Sequence, residues 1–178
     1  SLAGACAQLE LPLPHLSFEP GRAITGPAGV TLYTVGTIKD LALDAAPDSA
    51  ATADAGQPSV RRYVAVDGGM SDNARPILYG SEYTVTRADR APTGEQVLSR
   101  VVGKHCESGD ILVRECLLPA DLAPGDLLAV PATGAYCWSL SSNYNFLTRP
   151  PVVAVAPGRE PRVIVHGQSI QDLSLIHI

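Results

Sequence analysis

A chain of 178 residues and 18.6 kDa is long enough to enclose one sizeable core. Its formal net charge of −5 gives no reason to expect nucleic acid or an anionic membrane as a partner. No apolar run approaches a membrane span, and the four cysteines, Cys6, Cys106, Cys116 and Cys137, show no CxxC spacing, so reduced thiols in a cytoplasmic protein are expected rather than disulfides or a metal site.

In chain order, LAGACAQLEL reads as the end of an Ala/Leu-rich helix. HLSFEPGR, His15 to Arg22, reads as a strand running into a turn, with a second glycine-bearing turn at Gly26 to Gly29. From there the pattern is β. VTLYTVGTIKDLAL, RRYVAVDGG, EYTVTRA, VLSRVVGKH, DILVREC, DLLAVPA and VVAVAPG are short runs rich in Val, Ile, Leu and Tyr, and Gly, Pro, Asp or Asn bounds most of them. Their spacing predicts a closed or sandwich-like antiparallel unit. Asp44 to Ser59 is small, polar and punctuated by Pro and Gly, and reads as a surface loop; Ala88 to Gly94 reads as a shorter one. LAPGDLLAVPATGAY carries a Pro-Gly-Asp turn, a buried strand, and a glycine that sets down Tyr136 at the strand's exit.

Four polar, glycine-punctuated runs interrupt this pattern. EPGR offers exposed amides and an arginine, an anion cradle if it ends a barrel strand and a solvated turn otherwise. In DGGMSDNARPILYG, Arg75 and Tyr79 stand at i and i+4, on one face of a short helical turn. A forked guanidinium beside a phenol suits a carboxylate, although the same residues also suit a solvated turn. GKHCESGD, Gly103 to Asp110, places Cys106 between His105 and Glu107. The fourth run is ATGAYCWSLSSNYN, Ala132 to Asn145.

In this order and at these separations, EPGR, DGGMSDNxRPxLY, GKHCESGD and GAYxxSLSSNYN resemble the C-terminal part of the bacterial diaminopimelate decarboxylases, from about His15 to Val155. EPGR is shared with the related ornithine and arginine decarboxylases. The resemblance implies a mainly β chain: the C-terminal antiparallel β-barrel domain (31–172) of a fold type III pyridoxal-phosphate decarboxylase, preceded by the last strand of a truncated (β/α)8 barrel (1–30). It implies the final step of lysine biosynthesis, with meso-diaminopimelate as substrate. By the same likeness Glu19 meets the pyridine nitrogen, and Gly21 and Arg22 the phosphate of pyridoxal 5'-phosphate. Arg22 also comes within reach of a substrate carboxylate. Arg75 and Tyr79 grip the distal carboxylate, Glu107 holds the distal ammonium, and Tyr136 touches both substrate and cofactor. Cys106 is implied as the proton donor, supplied from the partner subunit of a homodimer, with His105 positioning its loop. Cys6, Cys116 and Cys137 match no motif position and are expected to pack.

The cofactor's Schiff-base lysine has no counterpart, because Lys39 and Lys104 stand in the β stretch. A piece lacking that lysine is expected to be inactive by itself. The tail, Leu173 to Ile178, matches one reading frame of a common transposon-end sequencing adapter and is taken as an assembly scar, a short apolar strand being the alternative. Two other classes stay open. One is a decarboxylase of ornithine, arginine or carboxynorspermidine, whose substrate would have no use for Arg75 and Tyr79. The other is a non-catalytic binding homologue, which would have no use for Cys106.

Overall fold

The computed structural model describes residues 1–43 and 59–174. The loop expected at Asp44 to Ser59 lies almost wholly outside them, as do residues 175–178 of the tail.

Helix α1 (Leu2–Gln8) is capped by the Ser1 hydroxyl, which accepts from the Gly4 amide, and it buries Cys6. The segment from His15, expected to be a barrel strand running into EPGR, forms no helix or strand up to Pro20, and Leu16 and Phe18 are exposed. A strand exists through its ladder, and no described segment lies alongside this one. One helical turn follows, α2 (Gly21–Thr25).

Among the described residues eight strands come next: β1 (Val30–Leu43), β2 (Ser59–Val66), β3 (Thr86–Arg87), β4 (Gln96–Val102), β5 (Ile111–Pro119), β6 (Leu127–Pro131), β7 (Val152–Ala154) and β8 (Arg162–Val165). The first six form one sheet in the order β3-β6-β1-β2-β4-β5, and β7 and β8 form a separate pair. Strand β5 returns against β3, so the sheet curls toward closure. The fourteen-residue β1 serves two neighbours. Val30 to Thr34 pair with β6, then an irregularity between Val35 and Ile38 passes the rest of the strand to β2.

Inward residues alternate along the strands. Val64 and Val66, Ser99 and Val101, and Leu128 and Val130 are buried, while their neighbours are at least partly exposed. Tyr33, Val35, Leu112, Val113 and Leu118 complete the core, each side chain contributing about 1.5–3 kcal/mol by leaving water.

Among the described residues all pairings are antiparallel except one: β2 and β4 run parallel, Arg62 opposite Ser99 through Ala65 opposite Val102. Parallel neighbours need a long return connection, and residues 67–95 supply it, carrying helix α3 (Arg75–Tyr79) and β3. The pairing puts the C-terminal ends of β2, β4 and β6 and the start of β1 on one rim. Three of the polar runs follow the ends of β2, β4 and β6 at that rim, and EPGR lies upstream of the start of β1. Two strands differ from expectation: EYTVTRA pairs only at Thr86–Arg87, and PRVIVH supplies an unforeseen β8. Helix α4 (Ile170–Ser174) closes the described chain and buries Leu173, a residue assigned above to the tail.

Candidate active site

Two groups of side chains occupy the rim. The first is centred on Arg75. Pro76 at the first turn of α3 and left-handed Gly80 at its end confine the helix to five residues. The expected i, i+4 face is present, with the Arg75 guanidinium carbon 5.4 Å from the Tyr79 ring centroid. The same carbon lies 5.4 Å from the Tyr136 ring, so the cation is held between two phenols. Its Nη2 donates to Ser81 Oγ at 3.2 Å, while the buried Nε finds no partner among the described residues.

Tyr136 reaches this position through backbone contacts. The amides of Thr133 and Gly134 donate to the carbonyls of Gly29 and Gly26, each at 3.0 Å. A Cβ on Gly134 would stand 2.1 Å from the Thr25 carbonyl, so only glycine permits this approach. Tyr136 itself has φ 69°, a conformation a bulky residue adopts at a cost of roughly 1–3 kcal/mol. The Leu140 amide and Ser139 hydroxyl, both donating to its carbonyl, hold it there. The phenol oxygen then lies 3.9 Å from where a Cβ on Gly21 would be. EPGR and GAY are thereby neighbours. Arg22 borders a cavity of about 270 Å³ with Ala23, Gly26, Pro27 and Ala132. An arginine and a glycine backbone lining the cavity, with the Tyr136 phenol beside neighbouring Gly21, suit a phosphorylated aromatic cofactor. Glu19 is exposed on the approach to α2.

The second group is the 103–110 loop, organised by Asp110. Only 3% exposed, its carboxylate accepts from the Met70 amide at 2.7 Å and the His105 amide at 2.9 Å, and lies 2.7 Å from His105 Nδ1. A Cβ on Gly103 would stand 2.1 Å from Asp110 Oδ2, which accounts for the glycine. The Lys104 amide donates to the Gly68 carbonyl at 3.0 Å, joining the loop to the strand end beside it. Behind the pair, Asp72 accepts from the Tyr33 hydroxyl at 2.5 Å and the Gly69 amide at 2.7 Å. Burial raises both the Asp72 carboxyl and the Tyr33 phenol above their ordinary pKa values.

This scaffold leaves Cys106 and Glu107 exposed at the loop's tip. Tyr144 donates its hydroxyl to Glu107 Oε1 at 2.6 Å, and its ring stacks on His105 with centroids 5.8 Å apart. Cys106 and Glu107 therefore group with Tyr144 and His105, whereas Arg75 groups with Tyr79 and Tyr136. His105 is buried and serves the loop's shape, in line with the positioning role expected of it. Cys116 and Cys137 pack inside: burial pushes the Cys116 thiol up to about 11, and Cys137 donates to Asn73 Oδ1 at 3.5 Å. Sequence reasoning missed Tyr144, Asp110, Asp72 and Ser81 as parts of the site. All but Ser81 lie inside the quoted polar runs, and that membership was the available signal. Lys39 lies on β1 and Lys104 on the loop, and neither belongs to the Arg22–Tyr136 group. Among the described residues no cluster of three His, Cys, Asp or Glu side chains is gathered for a metal, and no helix is long and apolar enough to cross a membrane.

The sequence model of pyridoxal-dependent decarboxylase, C-terminal sheet domain, matches residues 25–134. A diaminopimelate decarboxylase of Mycobacterium tuberculosis is 52% identical over 168 residues, covering 94% of this chain and 35% of the relative. Among solved structures, a diaminopimelate decarboxylase from Helicobacter pylori complexed with L-lysine matches with a TM-score of 0.70 at 30% identity, over 89% of this chain and 34% of that one. Another, from M. jannaschii in complex with L-lysine, matches with a TM-score of 0.73 at 27% identity, over 98% of this chain and 36% of that one. The chain thus spans about a third of the length of the relatives it matches.

Proposed function

The chain belongs to the pyridoxal-dependent decarboxylases, whose C-terminal sheet domain it carries, and on that premise we propose that the full-length protein decarboxylates meso-diaminopimelate to L-lysine. The observation that carries this reading is the Arg75 guanidinium held between the rings of Tyr79 and Tyr136. A decarboxylase of ornithine has no distal carboxylate to recognise. A fixed, forked cation beside the Tyr136–Gly21 contact supplies a recognition element for one.

Arg22 and the Gly21 backbone would hold the cofactor's phosphate, Glu19 its ring nitrogen, and Tyr136 would lie against both cofactor and substrate. Pyridoxal phosphate, when bound, supplies the electron sink that makes loss of carbon dioxide possible. The chain's own residues then have three tasks. Arg75 and Tyr79 fix the distal carboxylate. Glu107 fixes the distal ammonium. The Cys106 thiol holds the proton delivered to the substrate carbon, a form of general acid catalysis. Cys106 and Glu107 group apart from Arg75, which favours a homodimer in which each site takes these two from the partner subunit. Lysine biosynthesis in the cytoplasm is the setting that this reading implies.

Full-length protein loaded with pyridoxal phosphate should release carbon dioxide from meso-diaminopimelate in preference to ornithine or lysine. In that enzyme Arg75→Lys should raise KM for diaminopimelate about tenfold or more, since a point-like ammonium cannot fork to a carboxylate. Unchanged kinetics would remove Arg75 from the substrate site.

A further inference from the structure

We propose that Tyr144 is a positioning residue that sets the specificity of the site by holding Glu107 in place for the substrate's distal ammonium. The inference rests on the function proposed above and assigns a role to Tyr144, a residue of the fourth motif to which the resemblance gives none.

Glu107 sits at the exposed tip of a hairpin loop, where a carboxylate on a flexible stem would sample several rotamers. The Tyr144 hydroxyl, donating at 2.6 Å, selects one of them. Tyr144 is fixed in turn by its stack on His105, and His105 by the buried Asp110. Asp110 also accepts from the Met70 amide, at the start of the connection that carries Arg75. A chain of contacts therefore runs Met70–Asp110–His105–Tyr144–Glu107, from the root of the carboxylate-binding helix to the ammonium-binding carboxylate. The phenol keeps its proton, because the hydrogen bond to Glu107 raises its pKa above the ordinary value. It remains the donor in this pair, with Glu107 Oε1 as acceptor.

Removing the hydroxyl while keeping the ring isolates this effect. Tyr144→Phe retains a ring to stack on His105 and should fold as wild type does. The readout is equilibrium binding to the full-length holoenzyme by calorimetry, using L-lysine and ε-aminocaproate, which is lysine without its α-ammonium. Wild type should prefer L-lysine. Tyr144→Phe should weaken L-lysine binding about tenfold, the scale of a hydrogen bond to a charged group, and leave ε-aminocaproate within about twofold. KM for meso-diaminopimelate should rise in parallel with the L-lysine dissociation constant. In a Glu107→Gln background, Tyr144→Phe should add little, because both changes remove the same interaction. If wild type discriminates and Tyr144→Phe discriminates equally well, or if the two losses multiply, Tyr144 has no positioning role. If wild type does not discriminate at all, the assignment of Glu107 fails first, and with it the reading on which this one rests.

Discussion

Two buried aspartates, on opposite rims of the sheet, show how one side chain does two jobs. Asp110 follows the C-terminal end of β4 and accepts from two backbone amides and an imidazole. Asp126 precedes β6 and gathers guanidinium groups: Arg90 at 2.6 Å, Arg87 on its other oxygen, and the Ala123 amide at 2.9 Å. Arg87 also binds Asp121 at 2.9 Å, so the far rim is an ion network that pins the short β3 and the loop after it to the turn before β6. Asp110 has no arginine. Backbone amides are fixed in direction, so they determine where a loop points. Guanidinium groups adapt, so they hold segments together without aiming anything. The site rim uses the first kind of bonding and the opposite rim the second.

The sharpest way to break this contrast is Asp110→Ala in the full-length protein. It strands the Met70 and His105 amides and the His105 ring in a buried setting, each loss on the order of 1–3 kcal/mol. The melting temperature should fall by several degrees, and kcat/KM should drop by at least tenfold beyond what the folded fraction explains. Retained activity in the folded population would mean that the loop holds its shape without Asp110.

Asp126→Asn should do the reverse, lowering stability while sparing kcat/KM. Its effect should also depend on pH. The Arg90 and Arg87 contacts hold the Asp126 carboxyl well below the usual range, so the folded pKa lies beneath the unfolded value of about 3.9. The stabilisation is present above that value and is lost as pH falls through the folded pKa. Melting curves of wild type and variant should differ at pH 7 and converge under strong acid. A constant gap would show that the network acts through packing rather than charge.

Glu115→Ala provides the lower bound. The Arg61–Glu115 pair is as short as its buried counterparts, at 2.7 Å, but Glu115 is 60% exposed. Its loss should shift stability by no more than about 0.5 kcal/mol. A shift comparable to that of Asp126→Asn would mean that ion pairing, not burial, separates the rims.

Much of this was legible in the sequence. The alternation of Val, Ile and Leu marks most of the strands, and the spacing of Arg75 and Tyr79 marks α3, because both are local patterns. The parallel β2–β4 pairing was not, since nothing near Tyr63 announces a partner at Arg100. Tyr144 and Glu107 stand 37 positions apart, and Met70 and Asp110 stand 40 apart; their contacts come from the fold rather than from either segment. The role of Asp110 was not legible either, because a buried acceptor and a solvated one have the same letter. The strand expected from His15 carries a strand's composition without a described strand to pair with.

The parallel pairing also dictates a folding order. The β4–β5 hairpin brings Val102 opposite Ile111 by closing a short loop, an event of roughly microseconds. Aligning β2 with β4 requires closing the whole intervening connection, and β1 reaches β6 only across about a hundred residues. A refolding chain therefore carries Cys106 on a formed hairpin tip well before Met70 arrives to lock Asp110. During that interval the thiol is presented on a loop that has not yet been fixed in place, so recovery of the native rim in vitro should be lowered more by oxidant added early than by oxidant added after Asp110 is locked, although Cys106 is exposed throughout.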